Sequence, residues 1–173
     1  ELLAQAEPRL GEGTVLAYYN NGEKTLGHIR QALVEAATSY YVSFVDDDDR
    51  VPEHYVQQVR TAIHEYASQH RQVDRLVLPD QVGWRMQHYS DGFPSKPTYH
   101  SLQYRGWFEN DEGYHRDISH LNPVRRVLAL YADFKKGAPP EDVGWSAQMR
   151  PHIKTEVRIP DETRQALTAL GWT

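Results

Sequence analysis

The stretch YYVSFVDDDD, residues 40–49, decides how the rest of the chain is read. Its first part is β-branched and aromatic (Tyr40, Tyr41, Val42, Phe44, Val45), with only Ser43 interrupting, and its last four residues are the carboxylates Asp46, Asp47, Asp48 and Asp49. A short continuous apolar run predicts a buried strand, parallel to its neighbours and covered on both faces. Four acids cannot continue inside a core, because unpaired buried charge is far too costly, so they mark the C-terminal end of that strand. In open α/β sheets ligands bind at this end. Clustered hard oxygen donors suit a divalent cation, Mg²⁺ or Mn²⁺, shared with substrate phosphates. A solvated acidic loop is the plainer alternative, and the position directly after an apolar strand argues against it.

Upstream, residues 24–38 carry Leu26, Ile29, Leu33, Ala36 and Ala37, a spacing of three and four that predicts an amphipathic helix. Arg30 borders its apolar stripe, where it either snorkels to solvent or points a guanidinium along the sheet edge at a nucleotide. Residues 14–19 (TVLAYY) read as a short strand ending at Asn20-Asn21-Gly22, residues that tolerate left-handed turns. Residues 1–10 read as the remnant of a helix ended by Pro8 and the following glycines, so a first strand is expected further upstream.

Downstream, Val51-Pro52-Glu53 opens a helix with the stripe Val56, Val59, Ile63 and Ala67. His64 and His70 on that helix are six apart and lie on different faces, unlike a zinc-protease pair. Residues 73–82 predict a strand, 90–97 a loop, 98–110 a strand or bent ribbon, and 110–114 a turn. Asn122-Pro123 has the form of a helix cap and first turn, with Val124, Val127, Leu128 and Tyr131 inward. Glu141-Asp142 opens a further helix in which Asp142, Trp145 and Met149 share a face. Residues 154–159 predict a short strand and 161–170 a terminal helix. There is no repeat or low-complexity linker, which implies one domain over residues 1–173.

The chain has 173 residues, 39% hydrophobic and 25% charged, within the range of an ordinary globular domain. A net charge of -5 carries no basic surplus and argues against nucleic-acid binding. With no cysteine, disulfides and Cys-ligated zinc are excluded. No apolar stretch is long enough for a membrane span and no signal peptide is recognisable, which together imply a cytoplasmic protein.

The order of elements is β-α-β-α-β with an acidic strand end, followed about a hundred residues later by a second acidic pair at a helix start. This is a layout for metal-assisted group transfer. One set of carboxylates holds the metal, and a separate carboxylate removes a proton from the attacking hydroxyl. The helix dipole favours the ionised form of Asp142, although acids at helix starts are also common as simple caps. Four segments carry a resemblance: GEKTLGHIRQALVEAA, YYVSFVDDDD, HLNPVRRVLALYADF and PPEDVGWSAQM. In this order they resemble the nucleotide-sugar glycosyltransferases of GT-A fold, in particular family 2-like enzymes, from about Thr14 to Ile159.

The resemblance implies an α/β, Rossmann-type three-layer sandwich, with a central, mostly parallel sheet and helices on both faces. It implies transfer of a sugar from a nucleotide-diphosphate donor to the hydroxyl of a carbohydrate or other acceptor, with inversion and with Mn²⁺ or Mg²⁺ as cofactor. Asp46 matches the first acid of the DxD motif, which contacts the donor ribose, and Asp48 matches the metal ligand, with Asp46 beside it. Asp47 fills the variable position and counts with Asn20 and Arg30 as nucleotide-sugar-binding. Asp142 matches the catalytic base and Glu141 is its neighbour. Two other readings remain. One is a non-catalytic or degenerate sugar-nucleotide-binding domain. The other, a haloacid-dehalogenase-type phosphatase, wants Thr or Val two residues after its second Asp, where this chain has Arg50. An EF-hand fails at its sixth position, which is Val51 rather than Gly.

Overall fold

The computed structural model describes residues 2–5, 15–18, 22–46, 49, 54–72, 77–87, 89–90, 93–136 and 141–159. Strands β1 (Leu2–Gln5) and β2 (Val15–Tyr18) form a separate antiparallel ladder, from Leu2 opposite Tyr18 to Gln5 opposite Val15. The helix expected over residues 1–10 is therefore corrected to a strand at Leu2–Gln5. Four residues gain little as an isolated helical turn, where nucleation is unfavourable, whereas pairing with VLAY satisfies their backbone.

Helix α1 (Leu26–Ala36) lies where the 3.6-residue period places it. Thr25 caps its start by accepting from the His28 N–H at 3.4 Å. Arg126 donates to the carbonyls of Val34 and Glu35 at its end, at 3.3 and 3.2 Å. The buried face is rotated from the apolar stripe: Gly27, Ile29, Arg30, Gln31 and Val34 are buried, while Leu26 is exposed. Gly27 makes this approach possible, since a Cβ there would lie 2.8 Å from the Phe134 carbonyl oxygen. Gly27→Ala should lose about 1–3 kcal/mol to overpacking, against about 1 kcal/mol regained in helix propensity. Urea denaturation checks this, and a stabilised variant would show that α1 can shift freely.

Strand β3 (Tyr41–Val42) is followed by helix α2 (Tyr55–Gln69), in which Tyr55, Val59, Ala62 and Ala67 are buried. Val51, Pro52 and Glu53 lie outside the described residues. Next come β4 (Gln81–Met86) and a small ladder of β5 (Tyr89–Ser90) with β6 (Phe93–Pro94), which overlaps the loop expected over residues 90–97. The aromatic ribbon of residues 98–110 divides into β7 (Thr98–His100) and β8 (Phe108–Asn110), and β8 turns into β9 (Gly113–Arg116).

Asn122-Pro123 does not open a helix. It leads into β10 (Val124–Arg125), and only Arg126–Ala129 is helical, as α3. Of the four residues expected inward, Val124 is buried and Leu128 packs on the core, but Val127 and Tyr131 are exposed. Here strand pairing overrides the cap signature, because Val124 pairs with both β3 and β4 and Arg125 with β3. A 3-10 turn (Phe134–Lys136), helix α4 (Glu141–Met149) and strand β11 (Glu156–Arg158) complete the described elements. The terminal helix expected over residues 161–170 lies outside the described residues.

The main sheet runs β3-β10-β4-β7-β9-β8, with β11 on β4. The α/β class stands, but the mostly parallel sheet expected from the sequence does not. Among the described residues, pairs β3–β10, β10–β4, β4–β7 and β8–β9 are antiparallel, and only β4–β11 and β7–β9 are parallel. An apolar run specifies burial and leaves the direction of its neighbour open. β3 is also a two-residue edge strand among the described residues, with Tyr40 exposed, rather than a fully buried one.

Val124 and Gln81 are register partners and share a face, so Val82 points to the other face. Val124 joins a cluster with Val34, Phe134, Trp145, Met149 and Ile153, while Val82 packs with Tyr55 and Val59 of α2. Along the chain after β3, Val42 and Phe44 pack against the first cluster. Ser43 faces the second, bonding to the Tyr55 hydroxyl and the Leu121 carbonyl at 2.9 Å each. Asp46 follows at the parity of Val42 and Phe44.

Candidate functional site

Phe44 is the wedge that sets the position of Asp46. It meets Phe134 and Trp145 edge-on, with ring centroids 5.4 and 6.3 Å away, and His120 at 6.0 Å. This anchoring leaves Asp46, two residues on, facing α1. Arg30 of α1, only 5% exposed, donates to Asp46 Oδ1 at 2.8 Å and to Glu141 Oε1 at 3.1 Å. The arginine that could have snorkelled to solvent is thus buried between the strand end and the start of α4. Residues 16 and 111 positions away in sequence meet on one guanidinium.

His120, buried, sits between the two acidic segments. Its Nε2 is 3.1 Å from an Arg30 terminal nitrogen and 3.4 Å from Asp46 Oδ2, and its Nδ1 is 3.4 Å from Asp142 Oδ2. The last contact is electrostatic, since Nδ1 is not aligned for a hydrogen bond. Arginine can only donate and a carboxylate can only accept, so Nε2 either accepts from Arg30 or donates to Asp46, according to the ring's tautomer. On the far side Arg116, at the end of β9, donates to the same Asp142 oxygen at 3.3 Å.

The turn carrying His120 is stapled from within. Asn122 Oδ1 accepts from the Ser119 N–H at 2.9 Å, and its amide donates to the Val82 carbonyl at 2.9 Å. Asn122 is therefore a buried turn staple rather than a helix cap.

Burial works to raise the Asp46 carboxyl, but the Arg30 guanidinium and His120 outweigh it and hold the group below its usual range. For Asp142, His120 acts first, and Arg116 and the backbone N–H of Val143 add to it against the effect of burial. The net result holds the Asp142 carboxyl far below the ordinary value. Both groups are carboxylates at neutral pH. Three carboxylates (Asp46, Glu141, Asp142) face two guanidiniums (Arg30, Arg116).

Of the residues assigned from the sequence, Arg30, Asp46, Glu141 and Asp142 are brought together. Asn20, Asp47 and Asp48 lie outside the described residues. Among the described residues no group of three or more His, Asp or Glu side chains is arranged to hold a metal ion. The donor chemistry at this strand end, all carboxylate oxygen, fits a hard divalent cation. Asp46 shares its oxygens with Arg30 and His120. His120 and Arg116 were not singled out from the sequence. The signal for His120 was a histidine within a Ser-His-Leu-Asn-Pro turn. Arg116 had no comparable signal, since only the β7–β9 pairing places it.

A cleft of about 200 Å³ opens between α1 and β3, lined in part by Leu16 of β2 and by Leu33, Ala37, Val42 and Phe44, and it reaches Val45, the residue before Asp46. Among the described residues no helix is long and apolar enough to cross a membrane. No protein-family model, curated protein or solved structure matches the chain.

Proposed function

We propose that this chain is a GT-A-like glycosyltransferase domain that moves a sugar from a nucleotide-diphosphate donor to an acceptor hydroxyl, with inversion. The carrying observation is the convergence of Arg30, Asp46, Glu141 and Asp142, residues assigned from three separate segments, on one partly buried cluster. The cleft along β3 reaches Val45, the residue before Asp46, and would take the nucleotide on the donor side. Asp142, at the first turn of α4, is the base for the acceptor hydroxyl. Arg30 holds Asp46 and Glu141 in register, which ties the donor side to the acceptor side. Asp48, with Asp46, would hold Mn²⁺ or Mg²⁺, which when bound neutralises charge on the departing diphosphate. A cytoplasmic location belongs to the same proposal.

One observation favours a second reading, a sugar-nucleotide-binding domain without turnover: each described carboxylate of the cluster already faces an arginine or histidine. The two readings differ in a single assay. Under transfer, a panel of nucleotide-diphosphate sugars incubated with Mn²⁺ should release nucleoside diphosphate from at least one donor, and Asp48→Ala should abolish both the release and the metal dependence of donor binding. Saturable donor binding with no release from any donor would establish the binding domain instead. Mn²⁺-dependent release that persists in Asp48→Ala would remove Asp48 as the ligand.

A further inference from the structure

Trp107 is 65% exposed, an unusual position for a large aromatic ring held by anchored neighbours. The loop leading to it is fixed at its start. The Leu102 N–H bonds to buried Glu156 at 2.7 Å, and Arg150 donates to the Leu102 carbonyl at 2.9 Å. Tyr104 and Phe108 bracket the tryptophan in sequence and both pack on His115, with centroids 4.8 and 4.7 Å away. Gly106 has φ +106°, with nothing within 4 Å of where a Cβ would stand. The glycine therefore serves backbone direction rather than close packing, and it turns the next residue outward.

Arg116 joins this ring to the candidate site. Its guanidinium carbon lies 5.0 Å from the Trp107 ring centroid, within cation–π range, and the same guanidinium reaches Asp142 at 3.3 Å. The exposed ring thus lies one side chain away from the base.

We propose that Trp107 is a stacking platform for a pyranose ring of the acceptor, which makes the acceptor a carbohydrate; this rests on the glycosyl-transfer reading of the site. A pyranose has an apolar C–H face that suits an indole and a rim of hydroxyls that needs charged partners. Trp107, Arg116 and Asp142 supply these side by side. A nucleobase would also stack on an indole, but the donor cleft lies along β3, while Trp107 reaches the site from the Asp142 side through Arg116.

The test uses the chain labelled with 5-fluorotryptophan, with Trp107→Phe assigning the Trp107 resonance among the four tryptophans. Cellotetraose and chitotetraose are the probes, and UMP and AMP the competing ones. At least one tetrasaccharide should shift the Trp107 resonance saturably. With affinity measured by titration calorimetry, Trp107→Ala should weaken it at least ~10-fold, and Trp107→Phe should keep it within about 3-fold, since an aromatic face remains. The resonance of buried Trp145 reports whether each variant is folded.

A shift caused by UMP or AMP alone, or by none of the probes, overturns the platform. Donor turnover without any Trp107 response removes the platform and leaves the transfer reading. A tetrasaccharide response without turnover of any donor does the reverse.

Discussion

Asp142→Asn is expected to cut glycosyl transfer by about 10²–10⁴-fold, the usual contribution of a positioned proton acceptor, while donor affinity stays within a few-fold. An interaction made only with the acceptor in the transition state lowers turnover without weakening ground-state binding of the donor. The geometry adds a consequence for stability. Asp142 is partly buried and pairs with Arg116 and His120. The neutral amide keeps the shape but loses the charge partner of Arg116, at a cost on the order of 1–2 kcal/mol. If Asp142 were only a helix cap, Asp142→Asn would turn over normally and Asp142→Ala would lose melting temperature. Donor release and transfer measured in both variants separate the roles. Normal transfer by the Asn variant would move the base to Glu141, the neighbouring acid held by Arg30.

The largest stability effect is expected from Arg30→Met. The Arg30 side chain is 7% exposed and its partners Asp46 and Glu141 are 38% and 25% exposed. Removing one member of a buried ion pair costs about 3–5 kcal/mol. Water reaches both carboxylates here, so the lower end, about 3 kcal/mol, applies. For a chain of this size that is a fall of roughly 6–12 °C in melting temperature. The pH dependence has a definite sign. Asp46 is depressed in the folded state, so its contribution is fully present above the unfolded value of about 3.9 and is lost as pH falls through the lower folded value. Without Arg30 that depression shrinks, and the acid-side fall in stability should become shallower. Urea denaturation between acidic and neutral pH measures both effects. Adding Asp46→Asn to Arg30→Met should recover part of the loss, because one stranded charge is removed. A loss below about 1 kcal/mol in the single variant would show that the guanidinium does not organise the cluster.

Periodicity and charge placement were enough to locate α1, α2 and α4, the strand at Glu156–Arg158, and the face shared by Asp142, Trp145 and Met149. These features depend on neighbours three or four residues apart, or on where charge interrupts an apolar run, and such information is local. The same locality explains what was misread. LLAQ is too short for its period to separate strand from helix, and Asn-Pro is as good a turn as a cap. The directions of the sheet, four antiparallel pairings against two parallel among the described residues, depend on which distant segment supplies each partner.

For the site, the residue types and their motifs marked Arg30, Asp46, Glu141 and Asp142, but no spacing joins positions 30 and 141. Only tertiary packing does so, through the close approach of α1 at Gly27 and the wedge of Phe44. His120 and Arg116 enter the cluster in the same way, each carried in by a turn or strand whose partner lies far along the chain. The charged groups of a motif can therefore be named from sequence, while the side chains that set their ionisation come from contacts that only the folded chain makes.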